Sequence, residues 1–420
     1  MTTNLLIVGS GFLAAQCLVR AAGFNDVSIT VIDRKDPLTI INYNQDVFRM
    51  FQRYCRDISY KDIMNPQSLK KYGDPKRNIE FKFKFLDIEK EDRWWEHIDC
   101  PDIIFNAGGI YDRLYAELNP NATVETNTDF ITSLTRGING LAEKEGKKPL
   151  FIHFSSINVY GDMSHMKGEK AVIDESTKPN PIDPLNKSLL NQEQLVTLSA
   201  LSYDYAIMRL GTLIGYFTPA ESLVNQAVLA LLKQDDKFAL TNSADESIEL
   251  MDLTELGHII NAIILKQQDP VQLNIFKNQT YNVKVEEPEP KTIFSVVNAI
   301  YQGVNKLPKI NGVKLSAPEI TQPLSKKPVI NFGDVPISSF KFQHVFNWVS
   351  TRPTIFSLLH STVAYLVDYR IAGLPDEEKE TFKRIFAIEF TPTEASAKKA
   401  DVNQDVIETV KDVNKEIEKI

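Results

Sequence analysis

Leu5-Leu6-Ile7-Val8-Gly9-Ser10-Gly11-Phe12-Leu13-Ala14 decides how this chain is read. Four apolar residues in a row suit a strand buried on both faces, and the Gly-Ser-Gly turn after them opens into a helical run. Glycines at 9 and 11 permit a tight turn and let backbone N–H groups approach a pyrophosphate at a helix N-terminus, where the dipole favours negative charge. About twenty residues on, a second apolar run ends in Ile32-Asp33, where a carboxylate can accept both hydrogen bonds of an adenosine ribose. That carboxylate repels a 2′-phosphate and so favours NAD over NADP; Arg34 beside it weakens the preference without reversing it. Gly9, Gly11, Phe12, Leu13, Asp33 and Arg34 are thus candidate cofactor-binding residues. The competing reading is a glycine-rich turn in an α/β chain that has lost its ligand.

Working outward, short apolar runs at Leu5–Val8, Val27–Ile32, Ile79–Phe85, Ile103–Asn106, Leu150–Ser155 and Tyr205–Leu210 alternate with helix-like stretches. Continuous apolar strands with helices between them predict a parallel sheet covered on both faces, a doubly wound α/β class of the Rossmann type. We expect a dinucleotide-binding domain over 1–210, a smaller substrate-type lobe over 211–370, and a charged helical tail over 371–420. Between Asp33 and Ile79 lies more chain than one crossover needs, rich in aromatic and basic residues, which predicts an ordered helical insertion at about 34–78. In the tail Val406, Val410, Val413, Ile417 and Ile420 make one apolar stripe of a helix.

The chain has 420 residues, 43% of them hydrophobic and 24% charged, which is the balance of a folded protein. A net charge of −8 has the wrong sign for a protein that neutralises nucleic-acid phosphates. Cys17, Cys55 and Cys100 are far apart and in no metal or redox spacing, so buried thiols in a reducing compartment are expected. No apolar run reaches the roughly 18 residues of a membrane span; the nearest, Thr354–Val367, is broken by Ser357, His360, Ser361 and Thr362. A cytoplasmic, non-membrane protein is expected. The six histidines show no metal-ligand spacing, and no nucleophile elbow or P-loop occurs. His153 within a strand and the pair Trp94-Trp95 are read as core residues.

Beyond the glycine turn the chain resembles, in register, the extended short-chain dehydrogenase/reductase family, the NAD-dependent nucleotide-sugar epimerases and dehydratases. Phe85-Leu86-Asp87-Ile88 is similar to the family's acid-plus-apolar pair beside the adenine, and Phe105-Asn106-Ala107-Gly108-Gly109 to its small-residue strand end along the cofactor. Asn127 falls where the family carries the Asn of its central helix. Phe154-Ser155-Ser156-Ile157-Asn158-Val159-Tyr160-Gly161 is close to its SSxxVYG segment, and Arg209-Leu210-Gly211-Thr212-Leu213-Ile214-Gly215 to its RxxxxxG strand. Glu249-Leu250-Met251-Asp252-Leu253, Tyr281-Asn282-Val283, and Phe346-Asn347-Trp348 with Arg352-Pro353 continue the likeness to about residue 370. The resemblance implies NAD as cofactor, with Asp87, Ile88, Asn106, Ala107, Gly108 and Ser155 added to the binding residues. It also makes Ser156 the active-site hydroxyl and a nucleotide-sugar-like molecule the ligand.

The family's working pair is Tyr-x-x-x-Lys on the helix after SSxxVYG, where the Lys lowers the Tyr pKa and the tyrosinate moves a proton as hydride moves to or from NAD. Here the stretch is Pro181-Ile182-Asp183-Pro184-Leu185-Asn186-Lys187-Ser188-Leu189. Leu185 stands at the Tyr position and Leu189 at the Lys position, and neither can titrate. The literal Tyr72-Gly73-Asp74-Pro75-Lys76 lies before the serine segment with a proline inside it, and Lys187 faces another side of the helix. Ile157 and Asn158 replace the acid pair of the sugar dehydratases. Two functions stay open. One is an NAD-binding protein of this type that lacks the usual catalysis, with the insertion or the tail as surface for a protein partner or second copy. The other is an active NAD-dependent epimerase or oxidoreductase on a nucleotide-sugar-like substrate, using a different proton-transfer residue.

Overall fold

Strands buried at nearly every residue, β1 (Thr3–Val8), β4 (Ile103–Asn106), β5 (Leu150–Ser156) and β6 (Asp204–Leu210), join β2 (Val27–Asp33) and β3 (Ile79–Phe85), where Ser28 and Thr30, and Glu80, Lys82 and Lys84, alternate with apolar residues. The computed structural model describes residues 2–34 and 79–350, apart from 10, 22, 167–170, 215–217, 219–221, 234, 241, 286–290, 305–315, 322–328 and 333–334. All six strand expectations are met. The Tyr281-Asn282-Val283 element supplies a seventh, β7 (Gln279–Val283). The strands lie in the order β7-β6-β5-β4-β1-β2-β3, with every neighbouring pair parallel. This is the doubly wound α/β fold. Its strand order reverses between β1 and β4, and in such sheets ligands bind in the crevice beyond the carboxyl ends of the strands at that point.

Helices cover the sheet by the stripe rule. In α1 (Phe12–Ala21) Leu13, Ala14, Cys17, Leu18 and Ala21 are buried. The short α2 (Arg113–Leu118) begins at the cap Asp112, whose carboxylate accepts the Tyr115 N–H. Next comes α3 (Pro120–Glu145), with Pro120 in its first turn and Gly146 ending it at φ 64. It buries Phe130, Ile131, Leu134, Ile138 and Leu141. Trp94, fully buried, lies against Gly137 of this helix and Trp95 against Gly140, so the tryptophan pair does belong to the core. The next helix, α4 (Pro184–Leu198), is started by Asp183, which accepts from the Asn186 N–H at 2.9 Å. Tyr281 of β7 packs with Phe342 and Phe346.

Of the described residues, those of Met1–Thr212, Thr254–Glu289 and Ile330–Ser350 form one compact unit, which contains the sheet. Those of Leu213–Leu253 and Pro290–Val329 form a second, built on Val224, Val228, Leu231, Leu250, Val296 and Ile300. Its strands are short pairs: Ser247–Ile248 runs antiparallel to Lys291–Thr292, and Lys237–Ala239 parallel to Glu319–Thr321. The predicted insertion beyond Arg34, the literal Tyr72 to Lys76 motif, the Thr354–Val367 run and the tail with its apolar stripe lie outside the described residues. So does Cys55; Cys17 and Cys100 are buried free thiols. Among the described residues no helix is long and apolar enough to cross a membrane.

Candidate dinucleotide site

The carboxyl end of β1 runs straight into the glycine turn. Gly9 has φ +96, its N–H donates to the Ile32 carbonyl at 2.8 Å, and a Cβ there would lie 2.8 Å from the Ala107 carbonyl oxygen. Only glycine lets the ends of β1 and β4 come this close. Gly11 is the complement: among the described residues a Cβ there would meet nothing within 4 Å, over the start of α1. Phe12 is half-buried, while Leu13 turns into the core. Asp33 stands half-buried at the end of β2, and Arg34 is exposed, 3.4 Å from Glu89. Asp87 accepts the Glu89 N–H at 3.2 Å and pairs with Lys90, while Ile88 beside it is buried. The acid, the open turn and the second acid thus line the ends of β1, β2 and β3. That donor and acceptor set fits a pyrophosphate followed by a ribose.

On the other side of the reversal, Asn106 is fully buried. Its side-chain oxygen accepts the Gly108 N–H at 3.2 Å, and its amide lies 3.0 Å from His153 Nδ1. Burial drives the His153 pKa down to about 3, so the ring is neutral and structural, as expected. Ala107 is buried, and Gly108 leaves room for the Phe130 ring, which would stand 2.6 Å from a Cβ. Ser155 is buried and donates to Glu193 at 2.6 Å; Arg209 clamps the same carboxylate at 2.6 Å and donates to the Tyr160 hydroxyl at 2.9 Å. Ser156 is half-buried at the end of β5. Its oxygen accepts the Asn158 N–H at 3.1 Å, which leaves its proton to donate.

Leu185 and Leu189, one turn apart on α4, are 8% and 2% exposed and pack into one apolar cluster with Ala116 and Val159. Lys187 is exposed on another side of the helix. Asn127 was placed from the sequence but its contacts were not, and Tyr111 was not read at all. Asn127 grips the backbone of Ile110 at both ends, accepting its N–H at 2.8 Å and donating to its carbonyl at 3.1 Å, and also donates to Ser188 at 2.8 Å. Tyr111, next along, packs on the leucine cluster and donates to the Phe154 carbonyl at 3.2 Å; burial raises its pKa. Its only sequence signal is position, three residues past Gly108, where a polar loop would raise no remark. Among the described residues no group of three or more His, Cys, Asp or Glu side chains could hold a metal.

A family model described as NAD dependent epimerase/dehydratase family matches residues 7–283. No curated protein matches the sequence. Among solved structures, UDP-glucose 4-epimerase from Thermotoga maritima, with UDP-glucose, superposes with a TM-score of 0.63 at 14% identity, covering 88% of this chain and 100% of that one. A variant of UDP-glucuronic acid 4-epimerase from Bacillus cereus, in complex with a fluorinated UDP-sugar acid and NAD, gives 0.65 at 14% identity, covering 87% and 100%. UDP-N-acetylglucosamine 4-epimerase from Methanobrevibacter ruminantium gives 0.59 at 14%, covering 88% and 100%. At such identities the likeness speaks for the fold.

Proposed function

This chain belongs to the NAD dependent epimerase/dehydratase family, and from that premise we propose that it binds NAD and a nucleotide-sugar-like molecule without the family's Tyr/Lys proton transfer. The observation that supports the loss is the apolar cluster that takes in Leu185 and Leu189. Two aliphatic side chains cannot move a proton, a term worth roughly 10²–10⁴ in rate. Tyr111, the titrating group packed on that cluster, spends its hydroxyl on the Phe154 carbonyl, and burial raises its pKa away from neutrality.

The groups around the crevice fit the cofactor. Gly9, Gly11, Phe12 and Leu13 would hold the pyrophosphate at the start of α1, and Asp33 the adenosine ribose, with Arg34 at its rim. Asp87 and Ile88 would flank the adenine. Asn106, Ala107 and Gly108 would follow the cofactor across the reversal towards Ser155. When bound, NAD supplies a hydride acceptor. Ser156 would donate its hydroxyl proton to a ligand oxygen. We place the protein in a reducing, cytoplasmic setting, to which the buried free thiols Cys17 and Cys100 are suited. A binding or structural role through a partner at the insertion or tail follows from the same reading.

Calorimetric titration with NAD and NADP tests it. NAD is expected to bind and NADP to bind at least about tenfold more weakly, since the Asp33 carboxylate meets the 2′-phosphate. Asp33→Asn should narrow that gap. Absence of NAD binding at millimolar concentration would contradict the assignment.

A further inference from the structure

A dinucleotide spans two halves of a doubly wound sheet: the adenosine half over β1 to β3, and the second nucleoside over β4 and β5. In this chain the two halves are built differently. Over the first, a Cβ on Gly11 would meet nothing within 4 Å among the described residues, and half-buried Asp33 and Asp87 stand at or just past the strand ends. Over the second, the chain after β4 turns back and is tied to α3 and to β5. Gly109, at φ +112, starts the fold-back, and a Cβ on it would meet Asn127 Oδ1 at 3.2 Å. Asn127 holds Ile110 by both backbone groups. Tyr111 then spans to β5, its hydroxyl on the Phe154 carbonyl, and rests on the cluster of Ala116, Val159, Leu185 and Leu189.

Each part reinforces the next. Asn127 is fully buried and is itself fixed from α4, because its amide donates to Ser188 and its carbonyl accepts from Gln192 at 3.1 Å. Ser188 in turn donates to the Leu185 carbonyl at 2.7 Å. The loop at 109–111 is therefore pinned by α3 and α4 together. A Tyr and a Lys at positions 185 and 189 would put polar atoms into the cluster on which the Tyr111 ring rests. Leucines there instead give the ring an apolar seat.

We propose that this fold-back closes the second half of the site, so that the chain recognises the adenosine diphosphate moiety and accepts adenosine diphosphate or ADP-ribose as readily as NAD. The inference rests on the dinucleotide reading of the glycine turn and narrows its ligand class. A ligand held this way keeps its pyrophosphate on α1 and its ribose on Asp33. Whatever follows the second phosphate points to solvent and contributes nothing to affinity; on this inference Asn106, Ala107, Gly108 and Ser155, given above to the cofactor, serve the fold through their own hydrogen bonds, and Ser156 goes without a ligand.

The test is calorimetric titration of the full chain with NAD, ADP-ribose, ADP and nicotinamide mononucleotide. NAD and ADP-ribose are expected to bind within about threefold of each other and the mononucleotide not to bind, since a factor of ten would require about 1.4 kcal/mol from the nicotinamide side. Tyr111→Ala should then tighten NAD relative to ADP-ribose. NAD binding about tenfold or more above ADP-ribose in the unaltered chain would overturn the inference and leave the dinucleotide site standing. Failure of all four to bind would overturn both. The comparison in the unaltered chain decides the matter even if the variant does not fold.

Discussion

Gly9 is where backbone geometry and the proposed nucleotide site coincide. Its φ of +96 and the Ala107 carbonyl 2.8 Å from a hypothetical Cβ mean that Gly9→Ala must both strain the backbone and push β1 from β4. We expect a loss of about 1–3 kcal/mol in urea unfolding together with loss of nucleotide binding. Gly11→Ala should behave oppositely: its Cβ meets nothing within 4 Å among the described residues, so stability holds while binding falls. His153 gives a pH signature. Its folded pKa, about 3, lies below the ordinary 6.5 of the unfolded chain, so the unfolded state takes up the proton first. The stabilisation is complete above pH 6.5 and is lost as pH falls from there towards 3, by up to about 1.4 kcal/mol per pH unit. His153→Gln should flatten that part of a stability-against-pH curve, and an unchanged slope would show that His153 is not responsible for it.

Among the elements, α3 and α4 carry the account. Gly137→Ala would ordinarily steady a helix by up to about 1 kcal/mol. Here the new methyl would lie 2.1 Å from Trp94, which is fully buried and donates its indole N–H to the Ser133 carbonyl. Overpacking of about 1–3 kcal/mol should win, and the melting temperature should fall. On α4, Leu189→Lys would put an ammonium at a position 2% exposed among apolar neighbours, at a cost of about 3 kcal/mol. A Leu189→Lys variant as stable as the parent would show that the position opens onto a polar cavity.

How much was legible follows from the same elements. β1, β4, β5 and β6 could be read because burial on both faces writes a continuous apolar run, β2 and β3 because apolar residues recur at every second position, and the glycine turn because a close backbone approach demands glycine. The leucines at 185 and 189 were legible only as an absence of titrating groups. Asn127 could be placed in α3 by its likeness to the family but not assigned its hold on Ile110, because a side-chain bridge between segments 17 residues apart leaves no periodic trace. Tyr111 was missed for the same reason: an aromatic in a loop reads as surface until its hydroxyl is seen on β5.

For the molecule as a whole, the sheet order with its reversal between β1 and β4 supplies a nucleotide crevice, and the family places this chain among NAD dependent proteins. A net charge of −8 leaves anion binding to local devices, the start of α1 above all, and not to a general field. On the reading proposed above, the half of the crevice where a proton would move is closed with aliphatic and aromatic side chains. The most direct measurement is turnover: the chain incubated with NAD and a panel of UDP-sugars, with the sugars then separated to detect interconversion of epimers and the absorbance at about 340 nm followed for reduced cofactor. The account predicts neither interconversion nor reduction beyond a cofactor-only control. Robust conversion, abolished by replacing Tyr111 or Lys187, would contradict it and place the proton-transfer group on that residue.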